Sequence, residues 1–143
     1  KIREEKENLK RERRAHFREY IENRIDWANE AIRIKEKGAI QRHWEIELQA
    51  IRIDNFALLG IPMEVYAEIG LEIKKISPFE HTFIIAPANG IIGYLATENA
   101  YREHSYTVTE APKRYDLYTL SPEASKIIVE ESKELLEGMK EKK

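Results

Sequence analysis

No cysteine occurs among the 143 residues, which excludes disulfides and thiolate metal sites together. That absence suits a reducing compartment and a thermophilic source equally well. Long apolar runs are missing too. The best of them, FALLGI at 56–61 and FIIAPA at 83–88, fall far short of the roughly 20 residues a membrane helix needs. No signal-peptide pattern opens the chain, and its first residue is Lys rather than Met, so an excised piece is expected and the compartment stays open between cytoplasm and secretion. There is no glycine-rich phosphate cradle, no nucleophile elbow and no dinucleotide fingerprint. A net charge of −2 gives no reason to expect nucleic acid or an acidic membrane as partner. The aromatics around Lys113 and Arg114 are too few to suggest RNA.

What is present is a folding chain with a heavily charged surface: 42% hydrophobic and 35% charged residues, enough for one domain with a core or for part of a larger one. The charge is uneven. Residues 1–42 carry 13 Lys and Arg against 9 Asp and Glu, whereas the remainder carries 11 against 17. A basic helical arm on an acidic body could bind an anion, but a solvated helix face touching an acidic neighbour is favoured.

Periodicity divides the chain. Residues 3 to about 37 read as one long helix with Phe17, Ile21, Ile25, Ala28 and Ile32 along a stripe and Gly38 as its stop. Its first dozen residues have almost no apolar partner, so they are expected to project, fray or pack on something outside the chain. HWEIELQAIRI alternates Trp44, Ile46, Leu48 and Ala50 against Glu45, Glu47 and Gln49, as a half-buried strand does. Asp54 and Asn55 make a turn candidate before FALLGI, giving a hairpin. From Pro62 the period becomes helical, with Val65, Ile69, Ile73 and Ile76 on one face until Ser77 and Pro78 break it. HTFIIAPA is a strand leading into Asn89-Gly90, where positive φ is expected. After IIGYLAT, Thr97 caps a short helix, SYTVTEAP looks like a strand, and the chain closes on an amphipathic helix. Ser121 is its expected cap and Pro122 its first residue, with Ile127, Ile128, Leu135 and Leu136 buried. The expected class is mixed α/β: one mixed sheet flanked by helices, with a charged arm over 1–42 and the sheet and helices over 43–143, together part of a larger catalytic domain.

Each candidate for chemistry has a plainer reading beside it. His16, His43, His81 and His104 never stand four apart, and no HExxH occurs, so surface or structural roles are favoured for each. Glu64, Glu68 and Glu72 share a helix face. A carboxylate row could hold a divalent cation, but such rows usually face water. Glu64 differs because it stands at a strand-to-helix junction, where α/β sheets place ligand groups; a first-turn acid and a site residue are equally good readings. ANGIIGYLAT combines Asn89, Gly90, Gly93 and Tyr94 in a shaped loop, either positioning a group or simply turning with a packed tyrosine.

Taken in order, EIELQAIRIDNFALLGIPMEVYAEIG, SPFEHTFIIAPANGIIGYLATENAYREHSYTV and APKRYDLYTLSPEASKIIVEESKELL resemble the C-terminal part of the catalytic region of neutral/alkaline non-lysosomal ceramidases. The similarity runs from about Glu45 to about Leu136 and is closest to prokaryotic relatives without an immunoglobulin-like tail. The resemblance implies a zinc amidase that releases a fatty acid from an N-acyl-sphingosine or related lipid. It assigns Glu64, in Pro62-Met63-Glu64, and Tyr94, in Asn89-Gly90-Ile91-Ile92-Gly93-Tyr94, as zinc ligands, with Asn89, Gly90 and Gly93 as the supporting loop. Met63 stands where the family has glycine, and Ile91 where it has the first tyrosine of the second motif. The family's two histidine ligands belong to an N-terminal part that has no counterpart among the four histidines here, so an upstream segment or separate chain is expected to supply them. The alternative is a non-catalytic interaction or structural module that keeps the fold and uses the helix over 1–37 to dock.

Overall fold

The computed structural model describes residues 1–12, 14–38, 43–114 and 119–140. Its centre is the hairpin of β1 (Gln49–Ile53) and β2 (Phe56–Gly60), turned at Asp54 and Asn55, with Asp54 at φ 53°. β2 continues through the short β3 (Glu64–Val65) into α3 (Ala67–Ile76) and returns as β4 (His81–Ile85), which pairs with β2 in parallel. A three-stranded mixed sheet in the order β1-β2-β4 results, and β5 (Tyr94–Leu95) pairs with β3 as a second, two-stranded parallel sheet. The architecture is mixed α/β with helices flanking these sheets, as the alternating periodicities imply.

The core lies between the sheet and two helices. Ala57, Leu59 and Ile61 point to the same side as Ile69 and Ile73 of α3 and as Ile128, Val129 and Leu136 of α7 (Ala124–Gly138). Burying each of these Leu, Ile and Val side chains stabilises the fold by about 1.5–3 kcal/mol, measured against full exposure. On β1 the inward positions are Ala50 and Arg52, and Arg52 donates to the carbonyl of Met139 at 2.9 Å, tying the hairpin to the end of α7. Ile46 and Leu48 pack against the core in the expected phase, although regular pairing begins only at Gln49 and Trp44 is exposed. α3 ends at Ser77, whose hydroxyl accepts from Phe79 N–H at 3.2 Å and from Thr82 Oγ1 at 2.6 Å.

Four readings of the sequence are corrected. The single N-terminal helix is two, α1 (Ile2–Arg11) and α2 (Ala15–Glu36). The break at Glu12 and Arg14 is held by the Glu12 carboxylate, which accepts from Arg14 N–H at 2.9 Å and from its guanidinium. The first dozen residues therefore fold back on α2, where Arg24 Nε donates to Glu5 at 3.0 Å. SYTVTEAP is helical, forming α5 (Tyr106–Thr109) and α6 (Ala111–Arg114) after α4 (Glu98–Arg102). Burial of Val108 beside Ala96 and Ala100 overrides the strand preference of Thr and Val. On α7 the helix begins two residues past Pro122, and Ile127 faces out while Ser125, Val129 and Ser132 join Ile128 and Leu136 inside. The expected charged boundary at 39–42 lies outside the described residues.

Candidate metal-binding ladder

Backbone geometry brings Glu64 and Tyr94 together. The parallel pairing of β2 and β4 ends at Gly60 and Ile85, but the two segments remain joined beyond it. Ile61 N–H donates to Ile85 O at 3.0 Å, Ala88 N–H to Ile61 O at 2.9 Å and Ile92 N–H to Pro62 O at 3.0 Å. Glu64 N–H then donates to Gly93 O at 2.9 Å, and Tyr66 N–H to Leu95 O at 3.1 Å. Between Ala88 and Ile92 the second segment bulges outward through Asn89 and Gly90, at φ 59° and 140°, and Gly93 at φ 101° turns it back. Such positive φ angles explain Asn and Gly at these positions. Asn89 is further held by donating from Nδ2 to Gln49 Oε1 at 2.7 Å.

After the bulge, Glu64 and Tyr94 are register partners, as are Val65 and Leu95. Alternation along a strand then separates two faces. Met63 and Leu95 are fully buried and Val65 packs against the same core, while Glu64 and Tyr94 lie on the other face, both half-buried. Met63 therefore anchors the ladder in the core instead of crowding its neighbour's carboxylate. Glu64 is a strand residue: α3 starts at Ala67, and the first-turn reading is set aside. Glu68 and Glu72 on α3 are exposed, as solvated helix positions.

A small hollow beside Tyr94 is walled by Ile92, Gly93, Tyr101, Thr107 and Leu120. Tyr101 donates its hydroxyl to Leu120 O at 2.9 Å; burial, with added repulsion from Glu123, raises its pKa and keeps it a neutral donor. Tyr66, two positions beyond Glu64, joins Thr107 Oγ1 at 2.6 Å, and Thr107 joins Ser105 Oγ at 2.8 Å, so a hydroxyl chain fastens α5 over the ladder. Neither Tyr66 nor Tyr101 is singled out by sequence reasoning. The period-2 phase shared with Glu64 is the signal that could have found Tyr66.

Two oxygen donors make half of a four-coordinate zinc shell, and a carboxylate with a phenol suits a hard or borderline cation. Among the described residues no group of three or more His, Cys, Asp or Glu side chains could hold a metal ion. His16, His43, His81 and His104 are all exposed, and none lines the hollow beside Tyr94. Glu64 and Tyr94 are the oxygen-bearing side chains that the ladder places in register. Among the described residues no helix is long and apolar enough to cross a membrane. Comparison of the chain with protein-family models, with characterised proteins and with solved structures finds no match.

Proposed function

We propose that the chain is the C-terminal part of a zinc-dependent amide hydrolase of the ceramidase type, contributing Glu64 and Tyr94 as two of the metal's ligands. The observation that carries this reading is the register pairing of those two residues across 30 positions of sequence, on the face of the ladder turned away from the core. The motif resemblance nominated both. Zinc held by Glu64 and Tyr94 together with further ligands would supply an activated water and polarise an amide carbonyl.

The chain's own residues supply the setting. The bulge over Asn89–Gly93 gives Tyr94 its register, Met63 and Leu95 hold the ladder rigid from below, and Tyr101 and Thr107 wall the space beside the phenol. Rigid elements position ligands better than loops do. The histidine ligands come from an upstream segment or a separate polypeptide, and an N-acyl lipid is the substrate class.

The test is zinc content and amide hydrolysis of the chain assembled with its histidine-bearing segment. Zinc retained by the parent and lost in Glu64→Gln and Tyr94→Phe, with unchanged circular dichroism, supports the reading. Absence of both metal and activity on N-acyl-sphingosine overturns it, and tight four-ligand zinc binding by this chain alone overturns the half-site. The second reading, an interaction module without catalysis, is favoured by one observation, the apolar outer face of the three-stranded sheet.

A further inference from the structure

Among the described residues, helices cover one face of the β1-β2-β4 sheet. Its inner positions, Ala57, Leu59, Thr82 and Ile84, meet α3 and α7, and Gly70 of α3 approaches Ile84 closely. The outer positions fall in register across all three strands: Ile51, Leu58 and Phe83 form one row, and Ile53, Phe56 and His81 the next. Ile85 extends the apolar surface beside Gly60. Ile51, Ile53, Phe56, Phe83 and Ile85 are each between 45% and 61% exposed. The rings of Phe56 and Phe83 lie parallel with centroids 6.3 Å apart.

This distribution reverses that of an ordinary surface strand. On β1 the outward residues are Gln49 and the two isoleucines Ile51 and Ile53, and the inward ones are Ala50 and Arg52. A strand with one face in water places its polar residues outward. FALLG and HTFII are moreover near-continuous apolar runs in a parallel pair, the pattern of strands buried on both faces.

We infer that this sheet face is a self-association surface, on which a second copy of the chain packs sheet against sheet across a two-fold axis. Area argues for a second copy. Five half-exposed Ile and Phe side chains leave roughly 500 Å² of contiguous apolar surface, at the upper end of what monomers expose. With Leu58, His81 and the flanking Gln49 the face approaches the roughly 800 Å² per partner of a stable interface. An apolar face can meet its own copy as an isologous contact requires, and two sheets stacked about 10 Å apart give β2 and β4 cover on their second face. Nothing in this surface depends on the ladder of Glu64 and Tyr94.

Sedimentation equilibrium of the full chain between about 1 and 100 µM tests the inference, since standard-size interfaces commonly reach micromolar affinity or better. The expected result is a monomer–dimer equilibrium that Ile51→Glu and Phe83→Glu each shift to monomer by at least tenfold in dissociation constant. Both positions face outward, so the variants keep the circular dichroism of the parent. Because the chain has no cysteine, Leu58→Cys places a unique thiol near the centre of the face. A short bis-maleimide is expected to link it to its own copy and to leave a Glu130→Cys control, at an exposed position of α7, unlinked. A monomer throughout the range overturns the inference, in which case another polypeptide covers the face. A dimer indifferent to both glutamate variants, or open-ended aggregation in place of dimerisation, overturns it as well.

Discussion

Arg24 on α2 reaches the carboxylate of Glu110, 86 positions further along the chain, at the junction between α5 and α6. The same guanidinium holds Glu5 of α1 at 3.0 Å and the hydroxyl of Tyr20 at 2.9 Å, and Lys113 Nζ donates to Glu110 at 2.7 Å. Arg24 therefore helps tie both N-terminal helices to the body, beside the contacts of Lys113 with the Trp27 ring and of Arg114 with the Tyr20 ring. Its side chain is largely buried, so its loss leaves two carboxylates partly unpaired. Arg24→Met is expected to lower unfolding free energy by about 2 kcal/mol in urea titration. Glu110→Gln costs less, and the double variant costs less than the sum of the two.

Acid should release the same junction. Burial works against the charged form of Glu110, but its bonds and charge interactions with Lys113 and Arg24 outweigh it, and its pKa lies below the usual carboxylate value. A carboxylate with a lowered folded pKa contributes stability that is complete above its unfolded value of about 4.3 and is lost as pH falls through the folded value. Unfolding midpoints measured from pH 6 down to pH 2.5 should fall more steeply in the parent than in Glu110→Gln.

Met63 fills a core position beside the ladder and is fully buried. Placing glycine there removes the whole side chain and adds backbone freedom. Met63→Gly is expected to cost about 3–5 kcal/mol, and Met63→Leu under about 1.5 kcal/mol, by chemical denaturation. Equal stability of the two variants would contradict the anchoring role.

Ser132 is fully buried on the inner face of α7, and its hydroxyl has no hydrogen-bond partner among the described residues. Replacement by alanine removes an unsatisfied polar group at little change in volume. Ser132→Ala should raise stability by about 1 kcal/mol, visible as a higher melting temperature.

Gly60 ends β2 where the loop after β4 passes closest. A Cβ built on it would stand 3.1 Å from the Cβ of Ala88. Gly60→Ala is expected to cost about 1–2 kcal/mol in thermal unfolding, and Ala88→Gly in the same chain should recover part of that loss.

Strong local periodicity explains what was legible in the sequence. The Asp54-Asn55 turn, the buried face of Ile69 and Ile73, the Thr97 cap and positive φ at Asn89 and Gly90 follow from patterns spanning a few residues. The register pairing of Glu64 with Tyr94 was not legible, because nothing local to either residue specifies a strand partner 30 positions away. The break at Glu12 and Arg14 lacks Gly and Pro, since a charged side chain caps it. Tyr106–Thr109 carries strand-forming residues held helical by Val108 burial and by the bond from Thr109 Oγ1 to Ser105 O, which are respectively a tertiary contact and a weak local signal. The exposed Ile127 shows the same limit. A helical stripe read from sequence is wider than the groove it meets.

The ladder also has a coding consequence. Ile61 and Met63 point into the core while Pro62 and Glu64 do not, and Leu95 points in while Tyr94 does not. Core packing and the proposed ligands are thus interleaved on alternate residues of the same two short segments. Inserting or deleting a single residue between Gly60 and Glu64 would drive the carboxylate into the core and expel the methionine, which unfolding would penalise at once. Length changes in this segment are therefore screened by the core before any selection on activity can act. They should be tolerated only in pairs, or at Gly90 and Ile91, where the bulge already takes up surplus chain.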